Sequence, residues 1–142
     1  MPVSVLFTAH AVASGGRNGH TETRDGLIKA DLSIPKAMGG PGKPGTTTPE
    51  DLFAAGYAAC FCSAVDFIAT QMKLKPISLE VEAAVGIGKD ESSFGLKVDL
   101  TVWVGGLSEA DAKKIVEVGD QFCPYSKATR NNVEVGLKTI VV

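Results

Sequence analysis

Apolar and polar residues alternate along several stretches of the chain, which is the period-two pattern of strands with one buried face. The first stretch runs from Val3 to Ala11. Two more, HTETR and LIKADLSIP, flank the dipeptide Asp25-Gly26, which favours a hairpin turn. These stretches predict an N-terminal meander of about three strands.

Three later stretches alternate in the same way. ISLEVEAAVGIGK follows Pro76, and LKVDLTVWV follows a turn near Asp90 to Ser93, so together they predict a second hairpin. VEVGLKTIVV predicts a last strand. Because two helical patterns lie between these strands, the order indicates an α+β fold with largely antiparallel sheets.

The first helix has a well-marked start. Thr48 is a good N-cap, and Pro49 suits the first helical position because its missing N–H costs nothing there. Glu50 and Asp51 place negative charge at the positive end of the helix dipole. We expect the helix to reach about Lys73. Its middle is small and apolar nearly all round, which predicts burial on most sides.

A second helix follows Ser108, which forms a pattern like a capping box with Asp111. The segment EADAKKIVEVGDQF has the spacing of an amphipathic helix. We expect it to end around Cys123-Pro124, where the proline indicates a tight turn.

The composition is ordinary for a soluble globular protein of one domain, with 142 residues, 44% hydrophobic and 21% charged. The net charge of -2 and the scattered lysines and arginines do not indicate a nucleic-acid or anionic-membrane partner. We expect no membrane span, since we expect no stretch to be apolar enough to cross a bilayer. The N-terminal residues lack the positively charged region of a signal peptide, so we expect none.

The three cysteines carry the candidate chemistry. An odd, small number argues against a disulfide framework and for a reducing cytoplasm. Cys60 lies in the apolar helix and Cys123 opens the motif CPYSKATRNN, so the two could meet and exchange oxidation states. The alternative is that Cys60 is an inert core residue, since free cysteine is among the most buried residue types.

Neither the third cysteine nor a metal site is expected to add to this chemistry. Cys62 lies two residues from Cys60, hence on a different helix face, and is predicted to serve packing. The chain has neither a C-x-x-C nor an H-x-x-H spacing. We therefore expect no metal site.

A thiol is nucleophilic only as the thiolate, and Cys60 needs help to reach that state. It follows Thr48 by twelve residues, beyond the reach of the helix dipole, and apolar surroundings raise a thiol pKa. A cation must come from elsewhere, and Arg17 in the glycine turn GGRNG is the best candidate. A buried guanidinium needs a carboxylate to orient it, and Glu50 is the obvious choice.

Helix geometry limits how these groups can meet. Ten residues separate Glu50 from Cys60, which is roughly 15 Å of axial rise on a straight helix. Either the helix bends sharply, or the carboxylate comes from a second subunit whose helix runs antiparallel to the first. The small residues of the helix and the long glycine- and proline-rich loop from Pro35 to Thr48 suit the second option, a two-fold dimer with composite sites.

Three strings, GGRNG, PEDLFAAGYAACF and CPYSKATRNN, resemble in order and spacing the organic hydroperoxide resistance proteins, the peroxidase branch of the osmotically inducible protein C family. The resemblance covers nearly the whole chain, and three motifs together are far more specific than one. It implies a single domain over residues 1–142. It also implies an intertwined α+β homodimer in which β-sheets wrap long central helices.

The resemblance further implies an activity, the reduction of organic hydroperoxides by a thiol peroxidase. It gives Cys60 as the peroxidatic thiol, Cys123 as the resolving thiol, and Arg17 with Glu50 as the activating pair. The implied reductant is a dihydrolipoyl group, usually on a lipoylated protein, with no separate cofactor or metal. Apolar residues near the thiols are expected to bind the alkyl chain of the substrate: Phe53, Tyr57, Phe61 and Tyr125.

Two alternatives remain open. The first is the osmotic-stress branch of the same family, which has the same thiols and uses a broader range of peroxides. The second is a non-catalytic dimer that holds a hydrophobic ligand. A comparison of the rates with hydrogen peroxide and with an alkyl hydroperoxide tests the first alternative. The second predicts that Cys60→Ser leaves the protein's behaviour unchanged.

Overall fold

The computed structural model describes residues 2–142. By their internal contacts these residues divide into two compact units, one ending at Leu52 and the other spanning Phe53–Val142, with the boundary near the start of the first helix. The elements in chain order are β1 (Ala11–Ser14), β2 (His20–Thr23), β3 (Lys29–Asp31), α1 (Pro49–Gln71), β4 (Ser78–Lys89), β5 (Phe94–Gly105), α2 (Glu109–Phe122), α3 (Pro124–Thr129) and β6 (Glu134–Val141).

The first unit holds an antiparallel sheet of order β1-β2-β3. The turn predicted at Asp25-Gly26 joins β2 to β3. The Asp25 carboxylate accepts hydrogen bonds from Thr23 Oγ1 at 2.7 Å and from the backbone N–H of Leu27 at 3.0 Å. Gly26 has a φ of +73°, a left-handed conformation that glycine adopts without strain. This part of the predicted meander is confirmed.

The strand predicted from Val3 to Ala11 is wrong in position. β1 begins only at Ala11, and residues 2–10 form no regular strand, with Val3 82% and Phe7 84% exposed. The length of β2 explains this limit. Its last paired residue, Thr23, lies opposite Ala11, and the chain then turns away towards β3. The preceding residues therefore have no neighbouring strand in the described chain, and alternation alone does not make a ladder.

The second unit holds a sheet of order β4-β5-β6. β4 and β5 form the predicted hairpin, paired antiparallel from Ser78–Gly105 to Lys89–Phe94. β6 runs parallel to β5, but the other three strand pairs are antiparallel, so the sheets are largely antiparallel, as predicted. From Val98 to Val104 every second residue of β5 is buried, as the pleat predicts for a strand with one face on the core. In the core this strand packs with α1 and α2. The core residues are Val98, Leu100, Val102 and Val104 from β5, Phe61, Val65 and Ile68 from α1, and Ala112, Ile115 and Val116 from α2.

The start of α1 is confirmed. Thr48 Oγ1 accepts a hydrogen bond from the backbone N–H of Asp51 at 3.1 Å, and the Asp51 carboxylate accepts one from the backbone N–H of Thr48 at 3.1 Å. This reciprocal pair satisfies two amides that have no partner within the helix. The helix then continues unbroken to Gln71.

In the single chain α1 buries one face, whereas the sequence predicted burial on most sides. Tyr57, Phe61 and Ile68 are among its buried residues, while Ala55 and Ala59 are exposed. Small apolar residues occur all round the helix, but a packing partner decides which of them are covered. The apolar pattern of α1 therefore overstated its burial within one chain.

By length and composition α1 could cross a membrane, so the expectation that no stretch is apolar enough is wrong. Its most apolar window has a mean hydropathy of 1.7, because alanine, cysteine and phenylalanine outweigh the few charged residues. A core helix of a soluble protein passes the same test, and 33% of this window is buried. The hydropathy is therefore weak evidence for a membrane span.

The cap of α2 is confirmed, because Ser108 Oγ accepts a hydrogen bond from the backbone N–H of Asp111 at 3.1 Å. The predicted end of α2 is confirmed, since the helix stops at Phe122, but the helix that follows was not predicted. Cys123 separates α2 from the short helix α3, and Pro124 occupies the start of α3, where its missing N–H costs nothing. The second candidate thiol thus lies at the start of a helix.

Gly119→Ala should destabilise the protein, because α2 approaches α1 too closely for a side chain at this position. The added methyl carbon would stand 2.8 Å from Val65 Cγ2 and 3.0 Å from Val65 Cα. We expect the free energy of unfolding, measured by urea denaturation, to fall by about 1–3 kcal/mol. In the control Gly88→Ala the methyl group meets nothing within 4 Å. Equal stability of the two variants would contradict the prediction.

Candidate active site

The first unit presents Arg17 on a tight turn that glycines make possible. One turn of 3-10 helix, Gly16–Asn18, connects β1 to β2. Gly15 and Gly16 have φ values of +74° and +62°, in the left-handed region that favours glycine. The side-chain oxygen of Asn18 accepts a hydrogen bond from the backbone N–H of Ile34 at 2.9 Å. Arg17 therefore lies in a defined turn, as the glycine motif predicts.

Arg17 and Glu50 form a bidentate ion pair. Nη1 donates to Oε2 at 2.8 Å and Nη2 donates to Oε1 at 2.6 Å. The hydrogen bond from Arg17 lowers the pKa of Glu50, and the same bond raises the pKa of Arg17. The Glu50 side chain is 11% exposed and that of Arg17 is 36% exposed. The carboxylate therefore holds the guanidinium in one orientation while leaving part of it accessible.

The second unit brings Cys60 and Cys123 together. Their Sγ atoms lie 3.7 Å apart, with Cys60 on α1 and Cys123 between α2 and α3. Both thiols are free, Cys60 partly buried and Cys123 completely buried. Because the sulfur atoms of a disulfide are about 2.05 Å apart, a small movement would join them.

Burial raises the pKa of the Cys60 thiol and is the largest influence on it. The backbone N–H of Tyr125, at the start of α3, lowers this pKa by hydrogen bonding, whereas the neighbouring Cys123 raises it. These influences come from residues of the second unit, and together they favour the neutral thiol. A thiolate at neutral pH would require a nearby positive charge.

Four aromatic residues form a cluster centred on Tyr57. Its ring centroid lies 6.0 Å from that of Phe53, 6.4 Å from that of Phe61 and 5.9 Å from that of Tyr125. Tyr57 and Phe61 have no exposed surface, whereas Phe53 is partly buried and Tyr125 is 42% exposed. The residues expected to bind substrate thus lie together, and in the single chain Phe53 and Tyr125 are the accessible ones.

Sequence reasoning missed two residues of this region, Ser126 and Thr129. The Tyr57 hydroxyl lies 2.8 Å from Ser126 Oγ and 3.1 Å from Thr129 Oγ1, and all three side chains are buried. The two hydroxyl residues are three positions apart, which places them on one face of α3. Their spacing was visible in the sequence, but it acquires this meaning only if the segment is helical.

Cys62 lies apart from this thiol pair. Its Sγ is 4.0 Å from the backbone oxygen of Leu79, and burial raises its pKa, in keeping with a packing residue. Within residues 2–142, no group of three or more His, Cys, Asp and Glu side chains is placed to hold a metal ion.

The chain is similar to known proteins along nearly its whole length. The family model described as OsmC-like protein matches residues 40–138. An organic hydroperoxide resistance protein of Xanthomonas axonopodis pv. citri (strain 306) is 47% identical over 137 residues, which are 96% of each chain.

Solved structures share the arrangement of two sheets and a long helix. The crystal structure of an organic hydroperoxide resistance protein from Legionella pneumophila has a TM-score of 0.91 and 43% identity, and the match covers 97% of this chain and 100% of that one. For OhrB of Bacillus subtilis the TM-score is 0.87 and the identity 43%, with 95% and 99% covered. The predicted α+β fold is confirmed. The chain belongs to the OsmC-like protein family and, within it, to the organic hydroperoxide resistance proteins.

Proposed function

We propose that this protein is a cysteine-based peroxidase that reduces organic hydroperoxides to alcohols. The separation of 3.7 Å between Cys60 Sγ and Cys123 Sγ carries the proposal, because it puts a second thiol where it can condense with an oxidised first thiol. Its relatives from Xanthomonas axonopodis pv. citri and Bacillus subtilis are named organic hydroperoxide resistance proteins, which supports the substrate class.

The proposed reaction has three balanced steps. The Cys60 thiolate attacks the distal oxygen of the hydroperoxide, the O–O bond breaks, and the alkoxide leaves as an alcohol after taking up one proton. The resulting Cys60 sulfenic acid reacts with the Cys123 thiol, so that an S–S bond forms and water leaves. A dithiol then reduces the disulfide and is itself oxidised to a disulfide.

Arg17 is proposed to activate Cys60, held in place by Glu50. Burial raises the pKa of Cys60, so the thiolate needs a cation, and an arginine stays charged at any relevant pH. α1 is continuous from Pro49 to Gln71, which supports the view that Glu50 does not bend back to Cys60 of its own chain. We therefore propose an intertwined homodimer in which one chain lends Arg17 and Glu50 to the thiols of its partner.

The aromatic cluster is proposed to bind the alkyl part of the substrate. Phe53 and Tyr125 offer accessible apolar surface, and Tyr57 and Phe61 support them from within the core. Apolar contact favours a peroxide with an alkyl chain over hydrogen peroxide, because burial of each CH₂ group contributes about 0.8 kcal/mol.

The reductant, the compartment and the domain organisation are part of the same proposal. We propose a dihydrolipoyl dithiol, free or on a lipoylated protein, as the reductant, with no further cofactor. The cytoplasm suits this cycle, since its reducing conditions return Cys60 and Cys123 to free thiols.

The two compact units are proposed to act as one domain, because the family match over residues 40–138 crosses the boundary between them.

One equivalent of cumene hydroperoxide per chain should remove two free thiols from the wild-type protein, because Cys60 and Cys123 end in a disulfide. Free thiols are counted with a chromogenic reagent after denaturation. Cys60→Ser should lose none, and Cys123→Ser should lose one because its Cys60 stops at the sulfenic acid. Cys62→Ser is the matched control and should lose both of its thiols.

Loss of thiols that is unchanged in Cys60→Ser would overturn this assignment. Equal rates with hydrogen peroxide and cumene hydroperoxide would favour the osmotic-stress branch. Turnover with dihydrolipoamide, compared with glutathione, tests the reductant, and no preference for dihydrolipoamide would contradict that part of the proposal.

The Glu50 carboxyl should titrate below the ordinary glutamate pKa of about 4.3, and Arg17→Gln should raise its pKa. Because the pKa is lowered in the folded state, the ion pair stabilises the fold above the ordinary pKa, and this contribution is lost as the pH falls through the lowered value. Carbon-13 NMR of the side-chain carboxyl measures the shift. Arg24→Gln, in the same unit, is the control. An identical Glu50 titration in Arg17→Gln and wild type would contradict the prediction.

Mixed dimers test whether a site draws on both chains. A heterodimer of Glu50→Gln and Cys60→Ser subunits should regain about half of the wild-type turnover, because one of its two composite sites is intact. In the matched control, wild type is paired with the double variant Glu50→Gln/Cys60→Ser, and this dimer should be inactive. The reverse pattern, an inactive first dimer and an active second, would show that Glu50 serves its own chain.

A further inference from the structure

The hydroxyl of Tyr57 is buried in the core, and both of its hydrogen-bond partners belong to α3. It lies within hydrogen-bond distance of Ser126 Oγ at 2.8 Å and of Thr129 Oγ1 at 3.1 Å. Thr129 Oγ1 also donates to the backbone oxygen of Ser126 at 3.1 Å, so the three hydroxyl groups form one connected network. None of the three side chains is more than 5% exposed. The phenol oxygen therefore faces α3, away from solvent.

This network lies one helical turn from the thiol pair. Tyr57 precedes Cys60 by three residues on α1, and Ser126 follows Cys123 by three residues at α3. The two contacts, Tyr57 with Ser126 and Cys60 with Cys123, are thus successive contacts between segments that run in opposite directions. The two contacts therefore share one register between α1 and the segment that begins at Cys123.

α3 depends on such a contact for its position. It has only six residues, too few for a helix that is stable by itself. A cavity of about 210 Å³, lined in part by Tyr57, Ser126 and Thr129, borders the network. Without the Tyr57 hydroxyl, α3 has free space to move into, and Cys123 would move with it.

We propose that Tyr57 is a positioning residue for the resolving step and that its hydroxyl holds Cys123 within reach of Cys60. This inference rests on the peroxidase function proposed above. The step concerned is Cys60–SOH + Cys123–SH giving Cys60–S–S–Cys123 + H₂O, in which the S–O bond breaks and the thiol proton leaves with the hydroxyl as water. Tyr57 takes no part in the bond changes, because it acts only on the distance between the two sulfur atoms.

The test separates the two oxidation steps in Tyr57→Phe, which keeps the ring and removes the hydroxyl. In a quenched-flow experiment with cumene hydroperoxide, thiol alkylation and intact-protein mass spectrometry follow the sulfenic acid and the disulfide separately. We expect the loss of the Cys60 thiol at the wild-type rate and disulfide formation slowed about tenfold, the size of effect that the loss of a buried hydrogen bond produces. Trapping of the sulfenic acid by dimedone should increase accordingly.

Variants on α3 test the same network from the other side. Thr129→Val and Ser126→Ala should also slow disulfide formation, and Ser126→Ala should slow it further by little in the Tyr57→Phe background, because both changes remove one shared contact. Thr70→Val is the matched control. Its hydroxyl bonds only to the backbone oxygen of Asp66 within α1, so both steps should keep the wild-type rate.

Three results would overturn the inference. Disulfide formation at the wild-type rate in Tyr57→Phe would show that the hydroxyl does not position Cys123. Slowing of the first step alone would show that Tyr57 contacts the substrate. If Tyr57→Phe fails to fold, wild-type disulfide rates in both α3 variants would decide against the inference. Failure of wild-type Cys60 to react with peroxide would instead refute the proposed function, so the two failures are distinguishable.

Discussion

Burial of the Cys60 thiol sets the conditions that the rest of the proposed site has to meet. Its apolar surroundings remove the hydration that a thiolate needs, and the pKa of Cys60 rises as a result. The backbone amide of Tyr125 opposes this effect, while the dipole of α1 is too far away to do so. A positive charge therefore has to come from outside α1, and we propose that the Arg17 turn supplies it. The second thiol, Cys123, lies at the start of α3.

Both of these segments are short, and neighbouring residues hold each of them in place. The Arg17 turn relies on left-handed glycines and on the bond between Asn18 and the backbone of Ile34. α3 relies on the buried hydroxyl of Tyr57. In each case a residue with no proposed chemical role sets the position of one that has such a role. Core residues such as Tyr57 are therefore relevant to the proposed chemistry although they take no part in its bond changes.

Features set by a few consecutive residues were predicted well from the sequence, whereas two that depend on a packing neighbour were predicted wrongly. The caps at Thr48 and Ser108 involve atoms three residues apart, so their motifs contain all the partners. The N-terminal alternation from Val3 failed as a strand because the chain beside it turns at Asp25. The burial of α1 was overstated for a similar reason, since its small residues are covered only where another element packs on them.

By itself the sequence determined the α+β class and the bounds of most elements, and it supplied four candidate residues for the proposed chemistry, because propensities, caps and motifs lie within short stretches of chain. The sequence offered Arg17 with Glu50 and Cys60 with Cys123 as candidate pairs, but only the tertiary structure decided that each pair is in contact and that the Tyr57 hydroxyl is directed to α3. The partners in these contacts are 33, 63 and 69 residues apart. At such separations the packing of whole elements decides which side chains meet, and no local pattern encodes that choice.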